Sequence, residues 1–577
     1  MNSPDGGHTW RLIVDYVDEV RSNINAACIH LESWQVASYT LAFVFLALYI
    51  LDLAASEKGI MEKIRSRIFY ILRSLPWVHS RLSEDLARVK KELEEEVHIF
   101  DVTRDFYKFV PERGLERDEI RAEAELYLSM GNKRKELLDE KRSDGIVKEI
   151  SYLFGGMNPR DSYSFPGCRK MESEIVRMCV SLFHGGSQSM GVIVPSAAES
   201  VVVALSSARS LSIRHSIIHP TILAAASAAP SLFHAAKLLG MRVKLVPCNR
   251  DGTVDAATLK KYITSQTALI FVSAPNHATG TPDTIDSIAK VALRHHIPLH
   301  VDCSLGGLIL PFLELCDYHV SSFDFRLPGV SSISIDFSRL SPSPSSCALT
   351  LFRDENMMKS SIFPLADWPG GMYSSPSISD CLDGSAIAAT WTTLLSTGKS
   401  GFMEVTQTVV EATKKLATLL AEVEGITILG SADTVMVAFE TENSYDIYHI
   451  IEVMRGKGWP LHPLVSPPAA RFTMTIQMAK DSIIDSFLDD LDTVLVHVHN
   501  NENIGDNSSI RAFNHLIATA PDRWLVRELA IEKSLAHYSI PHPPENRKSL
   551  RTFSVEGRKL SMISDMMERR KDLIKEY

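Results

Sequence analysis

The rhythm of hydrophobic and polar positions changes three times along the 577 residues. From Trp34 to about Leu53 the chain reads WQVASYTLAFVFLALYILDL, with no charge until Asp52. That is about 20 residues, the length a helix needs to cross a bilayer core. Trp34, Tyr39 and Tyr49 stand where aromatic residues anchor such a helix. A signal peptide would open on a short basic region, whereas Asp15, Asp18, Glu19 and Glu32 precede this stretch; a buried core helix is the plainer alternative. Lys58, Lys63, Arg65, Arg67 and Arg73 follow it. The positive-inside rule then puts residues 1–33 in the lumen or outside and the rest in the cytosol. On that topology the sequon Asn507-Ser508-Ser509 stays unglycosylated.

Between Glu57 and Leu153 the pattern is charged and helical. Leu82, Leu86, Val89, Leu93 and Val97 recur at spacings of three and four, an apolar stripe on a polar helix. The run KKELEEEV reads as its solvated face. From Ser151 to about Thr390 short apolar runs alternate with helical stretches. MGVIVPS, RVKLVPC, ALIFVSAP and PLHVDCS predict strands, and Glu199–Arg209, Pro230–Leu239 and Ile285–His295 predict helices. Such alternation predicts a largely parallel α/β sheet covered on both faces. After Ser400 a helix (Gly401–Val423) leads to ITILG, TVMVAFE and RFTMTIQ, a smaller α+β domain. The predicted organisation is 1–33, a span at 34–53, a helical segment 54–150, a large domain 151–395, a small domain 396–500 and an extension 501–577.

Composition narrows the function classes. Hydrophobic residues make up 45% and charged residues 23%, which suits a globular chain. The net charge of −10 disfavours nucleic acid as a partner, since phosphate binding needs a basic surface. Eight scattered cysteines with no CxxC pair argue against zinc ribbons and a disulfide scaffold. His277, His295, His296 and His300 form no metal set and read as surface or packing residues; no metal site is expected.

Four strings now stand together: FPGCRKMESEIVRM (Phe165–Met178), HVDCSLGG (His300–Gly307), SISIDFS (Ser332–Ser338) and DWPGGMYSSPS (Asp367–Ser377). In this order they resemble the pyridoxal-phosphate-dependent group II decarboxylase-like enzymes, and among them the sphingosine-1-phosphate lyases. The resemblance implies a fold-type I dimer on the cytosolic face of the endoplasmic reticulum membrane, with pyridoxal phosphate as cofactor. It also implies cleavage of a phosphorylated sphingoid base to a fatty aldehyde and phosphoethanolamine.

The resemblance assigns roles residue by residue, and the chain departs from several. The Schiff-base lysine position, after a histidine, reads Ser338-Arg339; no lysine lies between Lys290 and Lys359. An always-protonated guanidinium is a poor amine nucleophile. The glycine-rich phosphate turn reads Pro195-Ser196-Ala197-Ala198-Glu199-Ser200, with side chains where backbone should approach closely. The ring-stacking histidine position is Ala229, another active-site histidine position is Asp161, and a Gly-Ser-Arg string is replaced by Asp380-Cys381-Leu382. Asp302 matches the partner of the pyridine nitrogen; its structural alternative is a strand-end aspartate capping the next loop. Gly280, Asp283, Gly306, Gly307, Gly370 and Gly371 match as scaffold.

These departures converge on one pocket. They lead to the expectation of a catalytically inactive, membrane-anchored family member. It would act by dimerisation, with itself or with an active paralogue, or by holding a lipid phosphate. A second reading is an active lyase with a different constellation, in which Arg339 grips a phosphate. A third is a structural interaction protein with a vestigial pocket.

Overall fold

The computed structural model describes residues 60–97, 115–129, 145–339, 347–379, 382–442, 445–499, 509–520 and 523–539, with short pieces before residue 44. Of the apolar stretch 34–53 only 34–35 and 38–43 are described, as helix. The remainder lies outside the described residues, as do the sequon asparagine Asn507 and the basic tail. Among the described residues no helix is long and apolar enough to cross a membrane.

The chain divides into two compact units, residues 1–84 with 521–523, and the rest. The first contains helix α1 (Ile60–Ser74), which exposes Ile68, Tyr70 and Ile71 beside Arg65, Arg67 and Arg73. Helix α2 (Pro76–Val97) carries the expected stripe: Leu82, Leu86 and Val89 are half-buried and Leu93 is buried. In the charge run, Lys90 pairs with Glu532 at 3.0 Å.

The second unit is built on a seven-stranded sheet. After helix α3 (Pro166–Leu182) come β1 (Met190–Val194), α4 (Ala197–Arg214), β2 (Thr221–Ala225), α5 (Pro230–Leu238), β3 (Arg242–Val246) and β4 (Thr267–Ser273). They are followed by α6 (Ile285–Arg294), β5 (Leu299–Cys303), β6 (Val330–Asp336) and β7 (Ala348–Phe352). The strand order is β1-β7-β6-β5-β4-β2-β3. Only β7 runs antiparallel, pairing with β6 on one side and β1 on the other. β4 and β5 are buried at every residue, as expected for strands covered on both faces. The sheet is therefore largely parallel, as expected, and mixed only through β7; all six parallel strands end at one edge.

Two matched glycines explain how the chain leaves that edge so tightly. A Cβ on Gly306 would lie 2.6 Å from Leu310 Cδ1 and 2.7 Å from the Ala274 carbonyl oxygen. On Gly307 it would lie 2.6 Å from Ile335 Cγ2. The turn after β5 can thus pack against the ends of β4 and β6 only without side chains.

A hairpin, β8 (Phe363–Leu365) with β9 (Tyr373–Ser375), precedes the long helix α7 (Gly384–Glu422). This helix runs through the boundary expected at 395/396 and is broken in φ/ψ only at Gly398. The small domain is a four-stranded antiparallel sheet, ordered β10 (Ile426–Leu429), β11 (Met436–Thr441), β13 (Pro468–Thr473), β12 (His462–Val465). Helices α8 (Ile447–Gly456) and α9 (Asp481–His499) belong to it, and its buried Trp459 donates to Asp490 at 2.8 Å. Thr434 donates to the Gly280 carbonyl at 2.9 Å, which ties the small domain to the loop after β4.

Candidate functional site

The C-terminal edge of the sheet gathers nearly every residue singled out from sequence. Ser196, Ala197 and Ala198 follow β1, Ala229 follows β2, Asp302 is the last residue but one of β5, and Ser338 and Arg339 follow β6. In open α/β sheets this edge is where ligands bind. Parallel pairing puts Ser273, Asp302 and Ser334 side by side on β4, β5 and β6.

At the β1 end, Ser196 is the N-cap of α4 and its Oγ accepts the Glu199 N–H at 3.2 Å. Ser200 Oγ donates to the Ala197 carbonyl at 2.7 Å. Glu199 turns its carboxylate to the segment after β9, accepting the Ser379 N–H at 2.9 Å and its hydroxyl at 2.8 Å. So Ser196 and Glu199 hold the helix start and tie down a loop. Ala229 is buried and forms the N-cap of α5 without a side-chain hydrogen bond.

At the β6 end, Asp336 Oδ1 accepts the Ser338 N–H at 2.9 Å and its hydroxyl at 2.7 Å. Arg339 closes the 3-10 turn Phe337–Arg339. Asp161 is exposed, on a turn it caps itself by accepting the Ser164 N–H at 3.0 Å. The hydrogen bonds from Ser164 hold its carboxyl below the usual range. Leu382 is buried; Asp380 and Cys381 lie outside the described residues.

Asp302 is the chemically distinctive group. Its Oδ1 accepts the Ser304 N–H at 3.0 Å, so it does cap the next loop. Its Oδ2 is buried and accepts no hydrogen bond. Burial alone would raise this carboxyl, but His277 and Ser304 outweigh it and hold the pKa below the ordinary value. The carboxylate is therefore charged at neutral pH, with one buried oxygen left without a hydrogen-bond partner.

The sequence points to His277 as a surface or packing residue, and the structure places it half-buried beside Asp302. Its Nε2 lies 3.1 Å from Ser304 Oγ and 3.6 Å from Asp302 Oδ2. Because one ring nitrogen faces both groups, this is no nucleophile–base–acid relay, which needs both nitrogens. His300 is a packing residue, buried between Ser332 and Ser334 and tilted on Phe271. Burial pushes its pKa down to about 4, so it is neutral. Arg160, also unsuspected from sequence, reaches the end of β1: its guanidinium lies 3.4 Å from the Ile193 carbonyl and 3.5 Å from Ser377 Oγ. Arg471 of β13 donates to the His277 carbonyl.

Residues 156–442 match the family model described as the pyridoxal-dependent decarboxylase conserved domain. The sphingosine-1-phosphate lyase of Oryza sativa is 30% identical over 396 residues, covering 67% of this chain and 72% of that one. The chain belongs to the sphingosine-1-phosphate lyase family. Sphingosine-1-phosphate lyase 1 of Mus musculus is 28% identical over 527 residues, 90% of this chain and 92% of that one. The solved lyase of Burkholderia pseudomallei superposes with a TM-score of 0.65 at 28% identity, covering 70% of this chain and 95% of its own. A glutamate decarboxylase of Lactobacillus brevis (TM-score 0.61, 19% identity, covering 69% of this chain and 96% of its own) shares the fold. The family is one of pyridoxal-phosphate-dependent lyases.

Among the described residues one group fits that cofactor. Asp302, with its buried oxygen that lacks a hydrogen-bond partner, suits a protonated ring nitrogen. No amine is available for covalent attachment along the β6 end: the flanking lysines sit on exposed helix faces, Lys290 beside Asp286 at 3.7 Å and Lys359 beside Glu355 at 2.7 Å. Taken together the residues do not fit a covalently held cofactor.

Proposed function

We propose that this chain is a non-catalytic member of the lyase family, acting in sphingolipid metabolism by dimerisation and by holding a phosphorylated sphingoid base without cleaving it. The observation that carries this reading is Arg339 at the end of β6, in a stretch with no lysine from 291 to 358. A dimer, with a second copy or with an active relative, is supported by Tyr152, Tyr163 and Met372, which are 87%, 96% and 92% exposed. The segments bearing Tyr163 and Met372 neighbour one another through the Arg160–Ser377 contact. Anchoring in the endoplasmic reticulum membrane, with the bulk of the chain cytosolic, is supported by the apolar stretch 34–53. The exposed Tyr70, Ile71 and Trp77 beside Arg67 and Arg73 also suit a lipid interface.

Asp302 favours a second reading, an active lyase, because its unpartnered Oδ2 keeps the acceptor a ring nitrogen needs. The two part in one assay. The full chain, in detergent with added pyridoxal phosphate and a phosphorylated sphingoid base, retains the lipid on the non-catalytic reading and releases no fatty aldehyde. Release of aldehyde and phosphoethanolamine above the protein-free rate would sink it.

A further inference from the structure

The loop after β4 delivers a histidine to the one carboxylate the pocket keeps, and the loop is pinned from every side. Asn276 is fully buried; its Nδ2 donates to the Thr281 carbonyl at 2.8 Å, and its Oδ1 accepts the Ala278 and Thr279 N–H groups at 2.9 and 2.8 Å. Thr279 Oγ1 donates to the Asp251 carbonyl at 2.5 Å. The small domain clamps the same loop through Arg471 on the His277 carbonyl and Thr434 on the Gly280 carbonyl. His277 thus has little freedom to withdraw, and its ring is 21% exposed, turned toward Ser304 and Asp302.

We propose that His277 takes the place of a cofactor's ring nitrogen at Asp302, so that the chain closes its own cofactor pocket from within. A pyridinium N–H must approach Oδ2 to about 2.8 Å, nearly in line. The imidazole already stands 3.6 Å from that oxygen and is held there by Ser304. The imidazole thus faces the buried oxygen from within the fold, on the side a ring N–H would have to reach. This deepens the non-catalytic reading by a second, separate obstacle: restoring an amine at 339 would leave His277 in the way.

The test uses 4-deoxypyridoxine 5′-phosphate, which has the ring nitrogen and phosphate but no aldehyde, so the missing lysine does not affect its binding. Its dissociation constant is measured by calorimetry on the full chain, on His277→Ala, and on His277→Ala with Asp302→Asn. His277→Ala is expected to bind about tenfold tighter or more, the worth of a hydrogen bond to a charged group. The double variant is expected to lose that gain. If His277→Ala does not fold, as judged by its melting curve, His277→Asn is expected to show the same sign. No gain in the single variant, or a gain that survives loss of the Asp302 charge, would overturn the proposal. Aldehyde release by the wild type bears on the non-catalytic reading and is measured separately.

Discussion

The ends of β5 and β6 lie side by side and are built alike, yet they have had different fates. Each carries at or next to its last residue an aspartate whose Oδ1 accepts the N–H two residues on, Ser304 at 3.0 Å for Asp302 and Ser338 at 2.9 Å for Asp336. At β5 the other carboxylate oxygen, Oδ2, is buried without a hydrogen-bond partner. At β6 the acceptor is taken up further by the Ser338 hydroxyl, and the residue after it is Arg339. The difference teaches which group is tied into the fold and which is not. Asp302 has a structural duty as well as a chemical one, so removing it costs stability. An amine at 339 would have only a chemical duty, since Asp336 and Ser338 already close the turn.

The largest effect should come from breaking the scaffold both ends share. Gly306→Val would drive side-chain carbon into Leu310 and the Ala274 carbonyl. It should cost about 3 kcal/mol or more, read by urea unfolding. Next, Asp302→Ala should cost about 2 kcal/mol by leaving the buried Ser304 N–H unpaired, while Asp302→Asn recovers most of it. If asparagine is as damaging as alanine, the charge on Oδ2 and not the cap is what holds the β5 end.

A third carboxylate sharpens the comparison through pH. Asp283 accepts the Ser273 N–H at 2.8 Å and the Val254 N–H at 3.0 Å, and burial raises its pKa to about 7 in spite of them. A carboxyl raised in the folded state binds its proton more tightly there than when unfolded. Its contribution is therefore most favourable at low pH and declines as pH rises from about 4 to about 7, by at most about 1.4 kcal/mol per pH unit. Asp283→Asn should flatten the wild-type stability profile across that window, as measured by urea unfolding at a series of pH values. The smallest effect belongs to Arg339→Lys, which should leave lyase turnover at the blank and stability within about 0.5 kcal/mol.

Much of the fold was legible because its signals are local. The buried runs ALIFVSAP and PLHVDCS could only be strands, and they are β4 and β5. By contrast β2 lies in TILAAASAAP, where alanines suit helix and strand alike, and β7 reverses direction with no mark in its sequence. The pocket was legible where one strand end carries its own signature, as with Asp302 and the Ser196 cap. His277 gave no signal. Its partner Ser304 is 27 residues away and meets it through β4–β5 pairing, and Arg471 is 194 residues away in another domain. Arg160 likewise acquires its neighbours Ile193 and Ser377 only in the folded chain.

The central claim is that this pocket cannot take its family's cofactor covalently. The direct measurement is the intact mass of the full chain after incubation with pyridoxal phosphate and borohydride reduction. The account predicts no stoichiometric gain in mass. One pyridoxyl group per chain on a single lysine, accompanied by aldehyde release from a phosphorylated sphingoid base before reduction, would contradict it.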